Sequence, residues 1–389
     1  MKKISADMHD LVAPVETINT GSKYKSHKPG MALCLSGGGY RAMLFHVGSL
    51  WRLNEIGYLK KVDRISSVSG GSITAAVLGL NWKNLDFDQK GVARNFESCV
   101  VEPIRRFAGV TIDLPSVVDG ILTPGSAISD EIAEEYRAHL FGDATLQDLP
   151  NTPRFVINAT NVQSGALWRF MKPYMADWRV GKVKKPDTQL AVAVAASSAF
   201  PPILSPVTLK LNPSAYAPKG KYEDLHCAPF MTDVVLTDGG VYDNLGLETA
   251  WKRYDTILVS DAGQKMEAQG EPWHNWAMHY LRITDLIDNQ VRNLRKLQVV
   301  GSYITGARKG AYWGIRTDIK HYKLASSLPC PFKRTMELAN VGTRMAQLEP
   351  EIQERLINWG YAVTDAALRK HVNPRLSPPK GFVYPKAKV

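Results

Sequence analysis

One segment constrains this chain more than any other: Met31-Ala-Leu-Cys-Leu35 running directly into Ser36-Gly37-Gly38-Gly39-Tyr40-Arg41. Five apolar residues in succession read as a buried strand. Three consecutive glycines then let the backbone turn sharply. A helical pattern follows, with Met43, Leu44, Val47, Leu50, Trp51 and Leu53 at helical spacing and Gly57 as its stop. The program then repeats. Val62 to Val68 reads as a second strand, Ser69-Gly70-Gly71-Ser72 as a sharp turn, and Ile73 to Leu80 as a second helix. Strand, glycine turn and helix, twice over, predict an α/β fold with parallel strands.

Further along, Asn81 to Arg106 reads as largely helical, Leu122 to Gly125 as a loop and Ser129 to Leu140 as a helix. Arg154 to Thr160 and Gly165 to Met171 read as strands. Gln189 to Phe200 reads as a small-residue helix stopped by Pro201-Pro202, and residues 205 to 232 as loop. Val234 to Thr237 and Asp255 to Asp261 complete the strands. A long helix runs from about Trp276 to Gly306. Ile283, Leu286, Ile287, Gln290, Val291, Leu294, Leu297 and Ile304 lie along one side of it, and Arg282, Asp285, Asn289, Arg292, Lys296 and Tyr303 along the other. The ordinary reading packs the first side into a core and leaves the second in water. Ala346 to Trp359 is a further helix. The expected organisation is a basic N-terminal arm (1–30), a main α/β domain (31–265), a helical region packed on it (266–365) and a basic, Pro-containing tail (366–389).

A chain of 389 residues with ordinary apolar (44%) and charged (22%) content can bury an ample core without staples. Cys34, Cys99, Cys227 and Cys330 lie far apart with no C-x-x-C pair, which excludes a zinc ribbon and argues for a reducing cytosol. Met1-Lys2-Lys3 runs into polar residues, so no secretory signal is expected, and no stretch reaches about 18 uninterrupted apolar residues. The 48 basic and 37 acidic residues leave +11, gathered at the two ends. That suits a membrane surface or another anionic partner, or a solvated mobile tail. No zinc-finger, RRM or basic-zipper pattern accompanies the charge, so no nucleic-acid duplex is expected as a partner.

Three places carry chemistry. The N–H groups of the Gly37-Gly38-Gly39 turn, with a helix N-terminus behind them, make an anion cradle for a phosphate or an oxyanion. The lysine of a P-loop is absent, and Gly37-Gly38-Gly39-Tyr40-Arg41-Ala42 meets the dinucleotide fingerprint imperfectly, without the acidic residue that should close the next strand. Ser67-Val68-Ser69-Gly70-Gly71 places a serine on a turn between strand and helix, as a nucleophile elbow does. Asp238-Gly239-Gly240 puts a carboxylate at the end of an apolar strand, where it can take a hydroxyl proton. Alone, each is an ordinary turn. If the sheet is parallel, all three share one edge and make an oxyanion hole, a nucleophile and a base.

In this combination and order the sequence resembles the patatin-like phospholipases, over roughly residues 30 to 265. The segments that carry the resemblance are Gly37-Gly38-Gly39-Tyr40-Arg41, Ser67-Val68-Ser69-Gly70-Gly71 and Asp238-Gly239-Gly240, supported by Asn158-Ala159-Thr160 and Ala196-Ser197-Ser198-Ala199-Phe200-Pro201. Ser67 stands where that family has glycine, a position that needs a small side chain. The resemblance implies a three-layer α/β fold with a mostly parallel central sheet and a mainly helical C-terminal extension. It implies a Ser69–Asp238 dyad acting on membrane phospholipid, and an oxyanion hole drawn from Gly37, Gly38, Gly39 and Gly70. Arg41, Gly71, Gly239 and Gly240 support the site, and no cofactor or metal is called for. It implies a cytoplasmic protein that meets the inner membrane face when active.

Some bacterial members resembling this chain are antiphage effectors switched on by cyclic oligonucleotides. On that analogy Arg292, Arg295, Lys296, Tyr303 and Arg308 form a candidate activator site, and a homo-oligomer is a further candidate partner state. The alternatives are a nucleotide-binding module built on the glycine turn and a catalytically silent lipid-binding protein. His274, His279, His321 and His371 have no triad-like context, and His46 reads as a packed residue behind the glycine turn.

Overall fold

A computed structural model describes residues 27–112, 128–202 and 204–389. Most of the expected N-terminal arm and the loop at Leu122 to Gly125 lie outside the described residues. Ten strands form one sheet: β1 (Lys28–Leu35), β2 (Arg64–Ser67), β3 (Arg154–Asn161), β4 (Ala166–Met171), β5 (Tyr174–Asp177), β6 (Gly181–Lys184), β7 (Val207–Lys210), β8 (Asp233–Asp238), β9 (Tyr254–Asp261) and β10 (Lys309–Gly314). They run in the order β10-β9-β1-β2-β3-β4-β5-β6, with β8 also paired to β3 and β7 to β8. The five strands from β10 to β3 are parallel. Every other pairing is antiparallel.

The helices that matter here are α1 (Gly39–Glu55), α2 (Gly70–Asn81), α3 (Leu190–Ser197), α4 (Gly240–Asp243), α5 (Trp276–Ile304) and α6 (Pro350–His371). Because side chains alternate along a strand, β1 feeds two cores. Leu33 and Leu35 join the main core with residues of α1, α2 and α6. Ala32 and Cys34 join a second core with Leu245, Leu247, Ile257, Val259 and Val299, the last from α5. Helices therefore cover both faces of the parallel strands, which is the three-layer α/β architecture.

The α1–α6 pair shows what fixes the C-terminal region to the rest. A Cβ added at Gly48 would collide with the carbonyl of Ile357, and one added at Gly360 would collide with that of Phe45. Two glycines thus let the helix backbones touch. Beside that crossing Arg52 reaches Asp365 at 2.8 Å, and Arg369 reaches the same carboxylate at 2.6 Å, all three side chains being buried.

Several elements differ from the sequence reading. β10, Lys309-Gly-Ala-Tyr-Trp-Gly314, was not anticipated: its glycines weaken strand propensity, and pairing with β9 creates it. The β5–β6 hairpin is likewise a product of pairing onto β4. Asn81 to Arg106 is not one helix. It holds a short turn at Trp82–Asn84, a bridge between Phe87 and Ala93 and a π-helical turn at Glu97–Val101 before the helix Glu102–Ala108 begins. α6 continues to His371 through Gly360, because burial on nearly every side overrides the low propensity of glycine.

The basic tail is docked rather than free. Asn358 Nδ2 donates to the carbonyls of Tyr384 at 2.8 Å and Lys388 at 2.7 Å, and Asn358 Oδ1 accepts from Tyr384 N–H at 3.0 Å. The largest difference concerns α5. Its apolar side faces outward and its charged side faces the sheet. Arg292 is buried, whereas Leu294 and Leu297 are 63% and 68% exposed.

Replacing Gly360 with Ala is expected to destabilise the protein by roughly 1–3 kcal/mol, the usual cost of overpacking. Chemical denaturation, read as a lowered midpoint at unchanged slope, checks it.

Candidate active site

The three sequence motifs converge, but not because their strands run in one sense. β2 pairs with residues 154–157 of β3 and β8 with residues 159–161, while β4 pairs with residues 157–161. Since β4 occupies one edge of β3, β2 and β8 must share the other. They approach head-on from opposite directions. β2 ends at Ser67, level with Ile157, and β8 ends at Asp238, level with Ala159. The expected parallel arrangement is thus corrected for β8, which is antiparallel, and register does what strand sense was expected to do. Asn158, at the gap, ties the two ends together. Its Nδ2 donates to Ser67 O at 2.8 Å and Ser66 Oγ at 3.0 Å, and a Cβ on Gly239 would collide with its carbonyl.

Where β2 stops, the chain turns through Ser69 into α2. Ser69 has φ 52° and ψ −126°, a strained conformation for a residue with a side chain. The turn closes because its neighbours are glycines. Added Cβ atoms would collide with Gly39 O at Gly70 and lie 2.6 Å from Leu35 O at Gly71. It is also held by hydroxyls. Ser69 N–H donates to Ser197 Oγ at 3.0 Å, and Ser197 Oγ donates to Asn158 O at 2.6 Å. Ser72 Oγ lies 3.0 Å from Ser67 Oγ and 2.9 Å from Ser197 Oγ. Ser67, the departure from glycine, is therefore a working member of this network. Ser197 on α3 and Asn244 after α4 were not named as site residues. The Ala196–Pro201 stretch pointed to the first, and nothing local pointed to the second.

The glycine turn supplies amide donors. Gly37 drops out of the expected set: its N–H donates to Asn244 O at 3.1 Å, and its role is close approach, since an added Cβ would lie 2.5 Å from Asn244 Oδ1 and 3.1 Å from Ser69 Cβ. The N–H groups of Gly38, Gly39 and Gly70 donate to no group among the described residues. Gly38 (φ 141°) and Gly39 (φ 59°) lie where side chains are disfavoured. Three unspent amides at two helix N-termini, beside a serine, form a site for negative charge. Arg41 does not point into it. Its Nε and Nη2 donate to Ala262 O at 3.1 and 3.0 Å and its Nη1 to Val341 O, so it braces the turn from behind.

Asp238 is buried. Its Oδ1 accepts from Gly240 N–H at 2.6 Å, while Oδ2 is buried and makes no conventional hydrogen bond. Burial raises the carboxyl to about 7; the Gly240 N–H and the nearby Ser69 side chain oppose the shift, and Asp288 of α5 adds to it. An acid so placed is a base poised near neutrality, with one oxygen open towards the serine. The Ser69–Asp238 contact is looser than a hydrogen bond, a common state before substrate binds. His46 takes no part. It lies between Ser260 Oγ and Ser36 O, and burial lowers it to about 4.

Residues of the candidate activator site spend their polar groups inside the fold. Arg292 reaches Asp288 at 2.7 Å and Gln264 O at 2.6 Å. Arg295 pairs with Glu248 at 3.2 Å, Lys296 lies 5.0 Å over the Tyr312 ring, and Tyr303 donates to Ile257 O at 2.6 Å. Arg308 donates to Trp251 O at 3.2 Å and contacts His27. An activator held by these groups would have to displace these contacts.

Against this geometry, residues 33–251 match the family model described as patatin-like phospholipase, more than half of the chain. The chain belongs to the patatin-like phospholipase family. No curated protein matches it. Among solved structures, this patatin-like chain is similar to human GIVD cytosolic phospholipase A2 in complex with methyl gamma-linolenyl fluorophosphonate. The TM-score is 0.51 at 14% identity, over 87% of this chain and 57% of that one. VipD from Legionella pneumophila also matches, with TM-score 0.36 at 15% identity over 89% of this chain and 67% of that one. The chain spans about half the length of the human enzyme.

Two outcomes follow for this patatin-like site. Because the folded carboxyl of Asp238 titrates above its unfolded value of 3.8, native Asp238 favours the protonated form. Its stabilising contribution is complete below pH 3.8 and is lost as pH rises through about 7. Asp238→Asn is therefore expected to raise the melting temperature, more at pH 8 than at pH 5, in thermal scans. Ser197→Ala removes the acceptor for Ser69 N–H and is expected to lower esterase kcat about tenfold, with the fold retained by circular dichroism.

Proposed function

We propose that the protein is a phospholipase A-type acyl hydrolase working through Ser69 and Asp238. The observation that carries the reading is a strained serine set between three unspent amides and a buried carboxyl poised near neutrality. Asp238 takes the proton of Ser69 Oγ as that oxygen attacks the ester carbonyl of a phospholipid. The negative charge passes to the carbonyl oxygen, facing the amides of Gly38, Gly39 and Gly70. Collapse breaks the ester C–O bond, and the lysolipid alcohol leaves with the proton from Asp238. Water, losing a proton to Asp238, then attacks the acyl-Ser69 ester. The fatty acid departs and Ser69 recovers its proton.

The Ser69 side chain stands against the glycine turn, where a nucleotide phosphate would have to lie, which favours hydrolysis over nucleotide binding. No helix of the described residues is long and apolar enough to cross a membrane.

Ser69→Ala and Asp238→Ala are each expected to lower fatty-acid release from phospholipid vesicles on the order of 10³-fold or more, measured by product mass spectrometry. Activity surviving both changes overturns the dyad. A fluorophosphonate should phosphonylate Ser69 alone, and kcat/KM should fall below pH about 7 as Asp238 takes up its proton.

A further inference from the structure

α5 has its amphipathicity reversed relative to the protein it packs on. It is 29 residues long, about 43 Å at 1.5 Å per residue. All six of its charged residues, Arg282, Asp285, Asp288, Arg292, Arg295 and Lys296, fall at one set of helical positions (b, c and f of a heptad). The opposite set, a, d, e and g, holds no Asp, Glu, Lys or Arg. Its a and d positions run from Trp276 to Ile304 in unbroken alternating steps of four and three, and all are exposed except half-buried Gly301. Trp276 is 84% and Ile304 81% exposed.

The apolar area so presented is on the order of 1,000 Å², against roughly 300–600 Å² for the largest patch on a typical monomer. A helix that meets lipid carries Lys and Arg beside its apolar face. This one does not. A heptad repeat that is apolar at every a and d position except Gln290 and Gly301 is instead the seam of a helix pair.

The geometry points to a second copy of this chain, docked through its own α5 in antiparallel orientation. The seam is complementary to itself. Reversing the helix about the point between Asp288 and Asn289 brings every a position opposite a d position. Trp276 then faces Gly301 of the second copy, Tyr280 faces Leu297, Ile283 faces Leu294 and Ile287 faces Gln290. The largest side chain thus meets the residue with none. The same operation sets Ile304 opposite Trp273, which is 57% exposed just before the helix. The e and g positions that flank the seam hold no Asp, Glu, Lys or Arg, so the charges, Arg282 and Arg295 level with each other among them, stay on the far side of each helix. Two such faces together bury about the 1,200–2,000 Å² of a stable interface. A two-fold operation of this kind closes, so it gives a dimer and not a fibre. The inference is independent of the reaction proposed for Ser69.

Sedimentation equilibrium of the full chain should give a dimer at micromolar concentration. Leu297→Glu and Ile283→Glu each place a charge in the seam and should weaken that dimer about 100-fold or more. Both positions are exposed in the single chain, so circular dichroism should stay unchanged, and the melting temperature should lose only the concentration-dependent increment that dimerisation confers. Met278→Glu, on the same helix but off the seam, should leave the dimer intact. A wild-type monomer overturns the proposal, as does a dimer indifferent to both seam changes or one equally lost with Met278→Glu. Flotation with phosphatidylglycerol vesicles separates the lipid alternative: seam variants that lose vesicle binding without changing mass would overturn the pairing.

Discussion

Two strands meeting end to end on one edge of β3 set the geometry on which everything else in this protein rests. β2 delivers Ser69 from one side and β8 the Asp238 carboxylate from the other, and the gap between them is one residue, Asn158. A strand edge left unpaired over that gap has polar groups to satisfy. Here the hydroxyls of Ser67, Ser72 and Ser197 and the Asn158 amide do so. The same groups hold Ser69 in a backbone conformation it would not adopt alone. Local strain and long-range register are thus one device.

Burial then supplies the electrostatics. A carboxylate in water would be too weak a base for a serine hydroxyl. Enclosed beneath β3 and α4, Asp238 is lifted to about 7, and the nearby charge of Asp288 acts in the same direction. The unspent amides of Gly38, Gly39 and Gly70 set positive potential beside that carboxylate. The helix dipoles of α1 and α2 converge on the same point.

Much of this was legible in the sequence because it is local. The glycine turn, the serine turn and the Asp-Gly-Gly turn each follow a short apolar run, and the structure brings all three together. What failed to show was long-range. The antiparallel sense of β8 depends on which edge of β3 is free, and no residue near Asp238 encodes it. Asn244 spends its carbonyl on Gly37 across more than 200 residues of chain. β10 forms only because β9 offers it an edge. For α5 the periodicity was plain, yet the assumption that apolar means inward gave the wrong side. A heptad is satisfied by a partner outside the chain as readily as by a core within it.

Arg41 carries a further implication. Its guanidinium grips the carbonyls of Ala262 and Val341, and Tyr40 N–H rests on the carbonyl of Arg344. These contacts lie beyond residue 251, where the match to the family model stops. A fragment cut to the segment that matches the family would keep Ser69, Asp238 and the glycine turn and lose the rear wall against which that turn is pressed. The C-terminal third of the chain is thus part of what shapes the glycine turn, although it lies outside the segment that identifies the family.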